Sequence, residues 1–535
     1  MELKLYSRKR LTFIALAVTS IFVWRYLTSL TADSTYFFDE WMFLASRDEF
    51  SIHDLAQAHN GHLSIVPAFV FIVVFKIFGF AHHEIFQWLA VMMHLGIVML
   101  SSMIIQRRHG WFVASVIGLA LALLGGGAEN VLWGFQIGFM GGFFFFLLSL
   151  ICFDQSQKSE SCIWPLFTFF TVMLSVGSSG TGLGTLAAIF FLTAMTRQWK
   201  KFWWVIFIPS AMYFVWYRRY GGTGLPSAEL VSIPIFVMRS ASYSMASIFG
   251  IALIWGALFV GLICAFLLRA LLVKPRRLNS LAFLIFTMFF WAATAYGRGV
   301  FGNPNSSRYL YIGVFGIVLL VSENIDRSKV NKQLRMRFIR VLVAIASLLA
   351  ILGSHKQMVF WANLHQKVSE SAVGQLVVAE AHRDNVDDAS VLQFVGDIPV
   401  LYAGEYFQAI SKMGSSPVDG RRNLFSAPGQ TRLAADDALL YLSVAKIDLA
   451  ENTTLKCDSV VKNEQSLAVP PGGEMHFQVM ASVVVTMSRF YEPISRGTND
   501  RSLDPGIYTA ALENDNLGGE LNLTLSDPGS VSICQ

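Results

Sequence analysis

Charge is what this chain has least of. Only 14% of its 535 residues are Asp, Glu, Lys or Arg, against roughly 25% in soluble domains. That scarcity excludes an ordinary soluble globular protein. With 54% hydrophobic residues and a mean hydropathy of +0.51, the chain reads as an integral membrane protein. Cysteine is also scarce: there are five, with no Cys-x-x-Cys and no zinc spacing. A nucleic-acid partner is not indicated, because the net charge of +5 comes from Lys and Arg in short loops between apolar runs, where they set orientation. No internal repeat is visible.

What is abundant is aromatic. Forty-five Phe and 13 Trp suit lipid-facing surfaces and interfacial belts. The first apolar run, Leu11 to about Leu30, follows Lys4, Arg8, Lys9 and Arg10. Arg25 interrupts it and no small residue stands three positions before a cleavage point, so it reads as a retained first span rather than a signal peptide. Further apolar segments cover 64–80, 85–106, 111–125, 131–153, 162–179, 183–196, 201–217, 246–272, 279–297, 308–322 and 338–354.

The basic connections are Arg107-Arg108, Arg197 with Lys200-Lys201, Lys274 with Arg276-Arg277, and the run from Arg327 to Arg340. Placing these in the cytoplasm puts 80–84, 125–135, 176–184, 218–245 and 297–308 outside. Parity then forbids 64–80 from crossing; with Pro67 and Lys76 inside it, it reads as an interfacial or re-entrant helix on the outer face. The expected fold is an all-α polytopic membrane protein of about 11 transmembrane helices plus this outer juxtamembrane helix. The expected division is 1–355, carrying a first outer loop at 31–84, and an extracytoplasmic tail at 356–535. The tail is helical to about Ala381, then β-rich from about 438, with alternating runs punctuated by Pro-Pro-Gly-Gly and two Asp-Pro-Gly turns. Cys457 and Cys534 can pair there if the tail lies outside the cytoplasm, whereas Cys152, Cys162 and Cys264 read as unreactive thiols.

Carboxylates and imidazoles concentrate at 33–67: Asp33, Asp39, Glu40, Asp48, Glu49 and Asp54 with His53, His59 and His62. Asp39 and Glu40 stand among Phe37, Phe38 and Trp41, where partial desolvation raises a carboxylate toward a general base's working range. A solvated acidic loop is the simpler alternative. His59 and His62, three apart, would share one face of a helix and contact substrate. They are also the candidate pair for a divalent cation, weakened by the lack of a His-Glu-x-x-His motif; no other cofactor is indicated. Glu129, Asn130 and Gln136, where a span begins on the outer side, suggest a cavity or a helix cap. Gly-Ser-Ser-Gly-Thr-Gly-Leu-Gly at 177–184 reads as a tight turn between helices, not a nucleotide loop. Arg298, Arg308 and Tyr309 flank an outer loop that the positive-inside rule should deplete of cations, so the arginines bind a phosphate or pair with the first-loop acids.

Asp39-Glu40 in the first outer loop, the juxtamembrane stretch His59 to Gly79 and the Arg298 to Tyr309 element resemble the polytopic GT-C superfamily of glycosyltransferases. The resemblance covers the chain to about residue 355. It implies a polyprenyl-phosphate-linked sugar donor, an envelope glycan or lipid acceptor, one first-loop carboxylate as base, and basic residues at the outer face of a bacterial inner membrane holding the donor phosphate. The Lys-Pro-Pro element of lipid A aminoarabinose transferases and the Trp-Trp-Asp-Tyr-Gly signature of oligosaccharyltransferases are absent. An O-antigen polymerase or ligase usually carries its catalytic loop late in the chain, whereas these acids are early. A lipid-linked sugar flippase or other transporter calls for charges within spans, and the mid-membrane helices here are nearly charge-free.

Overall fold

The apolar runs fold as helices because lipid offers no water to satisfy backbone N–H and C=O groups. The computed structural model describes residues 18–47, 51–221, 229–273, 278–301, 303–325, 334–393, 400–418, 421, 423–450, 455–457, 459–461, 466–492 and 499–534. The expectations placed on Lys4, Arg8, Lys9, Arg10, Asp48, Glu49, Lys274, Arg276, Arg277 and Arg327 lie outside the described residues. The chain divides into two compact units. A helical unit comprises Met1–Ala32, Glu49–Val73 and Glu84–Asn363, and a tail unit comprises Asp33–Asp48, Val74–His83 and Leu364–Gln535. The Asp39-Glu40 part of the first loop thus belongs with the tail unit, a grouping that sequence order does not express.

The protein is a polytopic membrane protein, mostly helical, with a small C-terminal β region. Among the described residues, four helices are long and apolar enough to cross a bilayer: Glu84–Ala122, Gly134–Lys158, Leu278–Arg298 and Arg340–Ala381. Ile163–Ser178 and Gly180–Thr196 are shorter apolar helices, so the expected number of about 11 spans leans on helices below the ~20 residues of a perpendicular crossing. Ile65–Phe78, with 14 residues, extends only about 21 Å, too short to cross upright. The long Glu84–Ala122 segment breaks at Gly110, beside Arg107-Arg108, which separates the two apolar segments read there.

One expectation is corrected. The run 246–272 is not a single span, and 218–245 is not all connection. The chain is helical over Leu230–Phe249, turns at Gly250 in the left-handed conformation, and continues over Leu253–Ala265 at a bend of 109°. Ser240, Ser242, Ser244 and Ser247 are buried on the first of these helices, which made its sequence look too polar for a membrane helix.

At one end of the helical unit the charges are paired. Arg108 Nε lies 2.5 Å from Glu323 Oε2, and Asp154 Oδ2 lies 3.5 Å from Arg107 and 2.6 Å from Lys158. His109 Nε2 meets Ser322 O at 2.8 Å, and Lys201 Nζ donates to Ser156 O at 2.6 Å. Among the described residues, the connections at Arg107-Arg108 and at Arg197 to Lys201 therefore lie at the same end of this unit.

In the tail unit, two antiparallel sheets follow the helical part. The five-stranded sheet has the order Ala445–Leu449, Gly506–Leu512, Glu474–Val479, Val531–Cys534, Ser459–Val460. The four-stranded sheet has the order Ser466–Val469, Leu521–Leu525, Val483–Ser488, Asp500–Leu503. Alternate residues are buried, as in Leu521, Leu523 and Leu525, because successive side chains leave opposite faces of a strand. Cys457 and Cys534 form a disulfide. The side chain of Asp515 is buried between Arg489, whose Nη1 and Nη2 approach at 2.5 and 2.8 Å, and His382 at 2.9 Å. Burial pushes its pKa up, but hydrogen bonds from His382, Arg489 and Leu517 N and the Arg489 charge outweigh that and hold the carboxyl well below its usual range.

Candidate active site

In the helical unit, Glu129 does not cap its own helix. Its carboxylate accepts from Arg308 N at 3.1 Å and Ser306 Oγ at 3.4 Å, at the start of the helix Ser307–Asn324. An acid there completes free amides and meets the positive end of the helix dipole. Ser307 Oγ locks the pair, accepting from Glu129 N at 3.1 Å and donating to Gly126 O at 3.0 Å. The Arg308 guanidinium lies 3.5 Å from Glu129 Oε1 and 5.6 Å from the Tyr309 ring centre. Arg308 is therefore compensated by Glu129. Tyr309 is buried against Phe139 and Phe290.

Asn130 is wholly buried, and both polar atoms of its side chain lack a hydrogen-bond partner among the described residues. Gln136, 2% exposed, leaves Oε1 in the same condition. Each such orphaned group costs about 1–3 kcal/mol unless a hydroxyl or water completes it. These are the groups that would meet a polar ligand.

His59 and His62 are not on a helix. They exchange two backbone hydrogen bonds, His59 N to His62 O at 3.1 Å and His62 N to His59 O at 2.9 Å. Asn60 and Gly61 between them have φ of 50° and 77°. That is the Asn-Gly type I′ turn, whose two central residues need positive φ. Asn-Gly was the signal for it in the sequence. The turn sets His59 against Phe135, ring centres 4.8 Å apart, and brings Asn60 O within 3.4 Å of Arg298 Nη2. His62 keeps some surface exposure, but desolvation of its ring, the Arg298 charge and His59 lower its pKa to about 4. It is neutral at ordinary pH. Gly180 leaves room for it, since an added Cβ would sit 2.8 Å from His62 Nδ1.

Arg298 is the contrast to Arg308. It is half-buried, donates to a main-chain carbonyl, and has no carboxylate within 4 Å among the described residues. The turn therefore offers an uncompensated cation beside a neutral imidazole. It fits a divalent cation poorly: among the described residues no three His, Cys, Asp or Glu side chains converge as a ligand set, and Arg298 already puts positive charge on His62. The 177–184 segment is the tight connection expected, a helix end at Ser178, a single 3-10 turn over Gly180–Gly182 and a new helix from Leu183.

In the tail unit, Asp39 is half-buried and opens the short helix Asp39–Ser46. Glu40, its neighbour, is wholly buried: Oε2 accepts from Phe37 N at 2.8 Å and lies 3.1 Å from His83 Nε2. His83 is a buried partner of that carboxylate. His365 was not singled out by the sequence at all. It is buried, stacks on Phe37 at 4.3 Å between ring centres and bonds Ser34 Oγ at 3.2 Å.

No family model matches the chain, and no curated protein sequence matches it. Among solved structures, the chain is similar to the crystal structure of ArnT from Cupriavidus metallidurans bound to undecaprenyl phosphate, with 13% identity, 69% of this chain and 80% of that chain covered, and a TM-score of 0.44.

Proposed function

We propose that the protein is a membrane glycosyltransferase of the GT-C type. It would move one sugar from a polyprenyl-phosphate donor to a hydroxyl of a cell-envelope glycan or lipid at the outer face of a bacterial inner membrane. The observation that carries this reading is Arg298, a half-buried guanidinium without a carboxylate partner among the described residues, next to the His59–His62 turn. Such a group favours a phosphate, which it can meet with two parallel hydrogen bonds. Arg308, already paired with Glu129, is a weaker anion site and orders the start of its helix. The orphaned amides of Asn130 and Gln136 suit sugar hydroxyls, and neutral His62 can donate or accept one hydrogen bond.

Of the two first-loop acids, Asp39 is the base, because Glu40 is wholly buried with Oε2 already engaged. Asp39 takes the proton of the acceptor hydroxyl as that oxygen bonds to the anomeric carbon. The bond from the anomeric carbon to the donor phosphate breaks, and its electron pair leaves on polyprenyl phosphate. Arg298 stabilises the charge that develops there. A single displacement inverts the anomeric centre.

The test is transfer by purified, folded variants. Asp39→Asn is expected to lose at least ~100-fold in kcat. Arg298→Ala is expected to lose a comparable factor in kcat/KM for the donor, with Arg298→Lys intermediate because it cannot bind in bidentate fashion. Full activity in Asp39→Asn would remove Asp39 from the chemistry.

A further inference from the structure

The turn that presents Asp39 has an unfavourable backbone shape. Glu40 N donates to Phe37 O at 3.1 Å, closing a four-residue turn. Phe38, its first central residue, has φ 42° and ψ −112°. That is the conformation of the first central position of a type II′ turn, which glycine adopts readily and a residue with a Cβ does not. Asp39 follows at once, so the shape of Phe38 decides where its carboxylate is carried. Non-glycine residues persist in such conformations only when their surroundings over-determine them, and they cluster at functional sites.

The surroundings here are two histidines distant in sequence, both in the tail unit. On one side His83 Nε2, 3.1 Å from Glu40 Oε2, fixes the carboxylate that accepts from Phe37 N at 2.8 Å. Tyr36 packs edge-on against the His83 ring at 4.9 Å and donates from its hydroxyl to Phe80 O at 3.0 Å. On the other side the Phe37 ring lies flat on His365, with an interplanar angle of 15°. His365 is tied to Ser34 Oγ just before the turn. Glu40, His83 and His365 are 0, 4 and 3% exposed, so the grip is made out of water.

We propose that His83 and His365 are positioning residues that hold the strained Phe38 turn and so aim Asp39. The proposal rests on the reading of Asp39 as the base. It gives the tail unit a task in catalysis: residue 365, far from the first loop in sequence, supplies half of the clamp.

The experiment compares His83→Ala, His83→Gln, His365→Leu and Phe38→Gly, with kcat and donor KM measured together and amide hydrogen exchange followed at Glu40 and Trp41, whose N–H groups bond Phe37 O and Phe38 O. His83→Ala and His365→Leu should lower kcat about 10–100-fold, the scale of a misplaced catalytic group, with KM within about twofold. Exchange at Glu40 and Trp41 should quicken in both. His83→Gln, which keeps an N–H donor, should recover most of the loss. Adding Phe38→Gly to His365→Leu should recover it too, because glycine holds the turn unaided. Unchanged kcat despite faster exchange would overturn the proposal, since the histidines would then only pack; so would lowered kcat with unchanged exchange. His365→Leu keeps a large side chain, so a folding failure of His83→Ala leaves the test in force. Full transfer by Asp39→Asn would sink the base reading alone, while the exchange result would still decide the clamp.

Discussion

The two ends of the helical unit treat charge in opposite ways. At one end Arg107, Arg108, Asp154, Lys158 and Glu323 form ion pairs. At the other, Arg298 meets a carbonyl, His62 is held neutral, and Asn130 and Gln136 bury amide groups that no described residue completes. Paired charge at a helix end stabilises and orients. Incomplete polar groups cost stability, and on the proposed reading those at this end meet the donor and its sugar. The same contrast separates the two arginines flanking the 299–306 loop: Arg308 is matched by Glu129, and Arg298 is not.

Breaking the incomplete end should have the largest effect on activity. Arg298→Ala is expected to cost about 100-fold in donor kcat/KM, roughly 2.7 kcal/mol of transition-state stabilisation, while thermal stability changes little. Glu129→Ala comes next. It removes the acceptor for Arg308 N and Ser306 Oγ and should lower stability by about 1–2 kcal/mol, read as a shift in thermal unfolding in detergent. It should also reduce turnover, because the start of the Arg308 helix loosens.

His62 sharpens the comparison through pH. Its folded-state pKa, about 4, lies below the usual imidazole value of 6.5. Between these values the unfolded chain binds the proton and the folded chain does not. The neutral histidine is therefore compatible with full stability above pH 6.5, and stability falls as pH drops toward 4. The loss is up to about 2–3 kcal/mol, since the ring keeps some contact with solvent. His62→Gln should flatten the stability profile over that window, and an unchanged profile would show that His62 is not the group titrating. Gly180→Ala, which drives a Cβ toward His62 Nδ1, should disturb the same turn from the other side.

At the paired end effects should be smaller and leave chemistry alone. Arg108→Ala weakens the compensation of buried Glu323 and should cost about 1–2 kcal/mol, tempered by the exposure of Arg108. Lys158→Ala removes an exposed pair four residues apart on one helix and should cost less than about 0.5 kcal/mol. If Lys158→Ala impaired turnover as much as Arg298→Ala, the distinction between the two ends would collapse.

Much of this could be read from the sequence, within physical limits. Apolar length and basic loops located the helices, and the alternation of basic and non-basic connections placed Arg107-Arg108 and Arg298 at opposite ends. The break at Gly250 was hidden because the apolar run passes through it, while the buried serines of Leu230–Phe249 disguised a helix as a loop. The Asn-Gly turn at 60–61 was legible, but the spacing of the two histidines suggested a helix instead. Partners remote in sequence, such as Glu129 with Arg308 or His365 with Phe37, leave no local periodicity and meet only in the folded chain. Glu40 and Asp39 look equivalent in sequence; burial and the partners of Glu40 Oε2 separate them in the fold.

The central claim is tested most directly by incubating the purified protein in lipid nanodiscs with a panel of polyprenyl-phosphate sugars and an envelope glycan extract. The account predicts that one donor is consumed, that free polyprenyl phosphate appears, and that the transferred sugar has the inverted anomeric configuration. No turnover of any donor, with coupled ion flux across proteoliposomes and no glycosyl product, would contradict it.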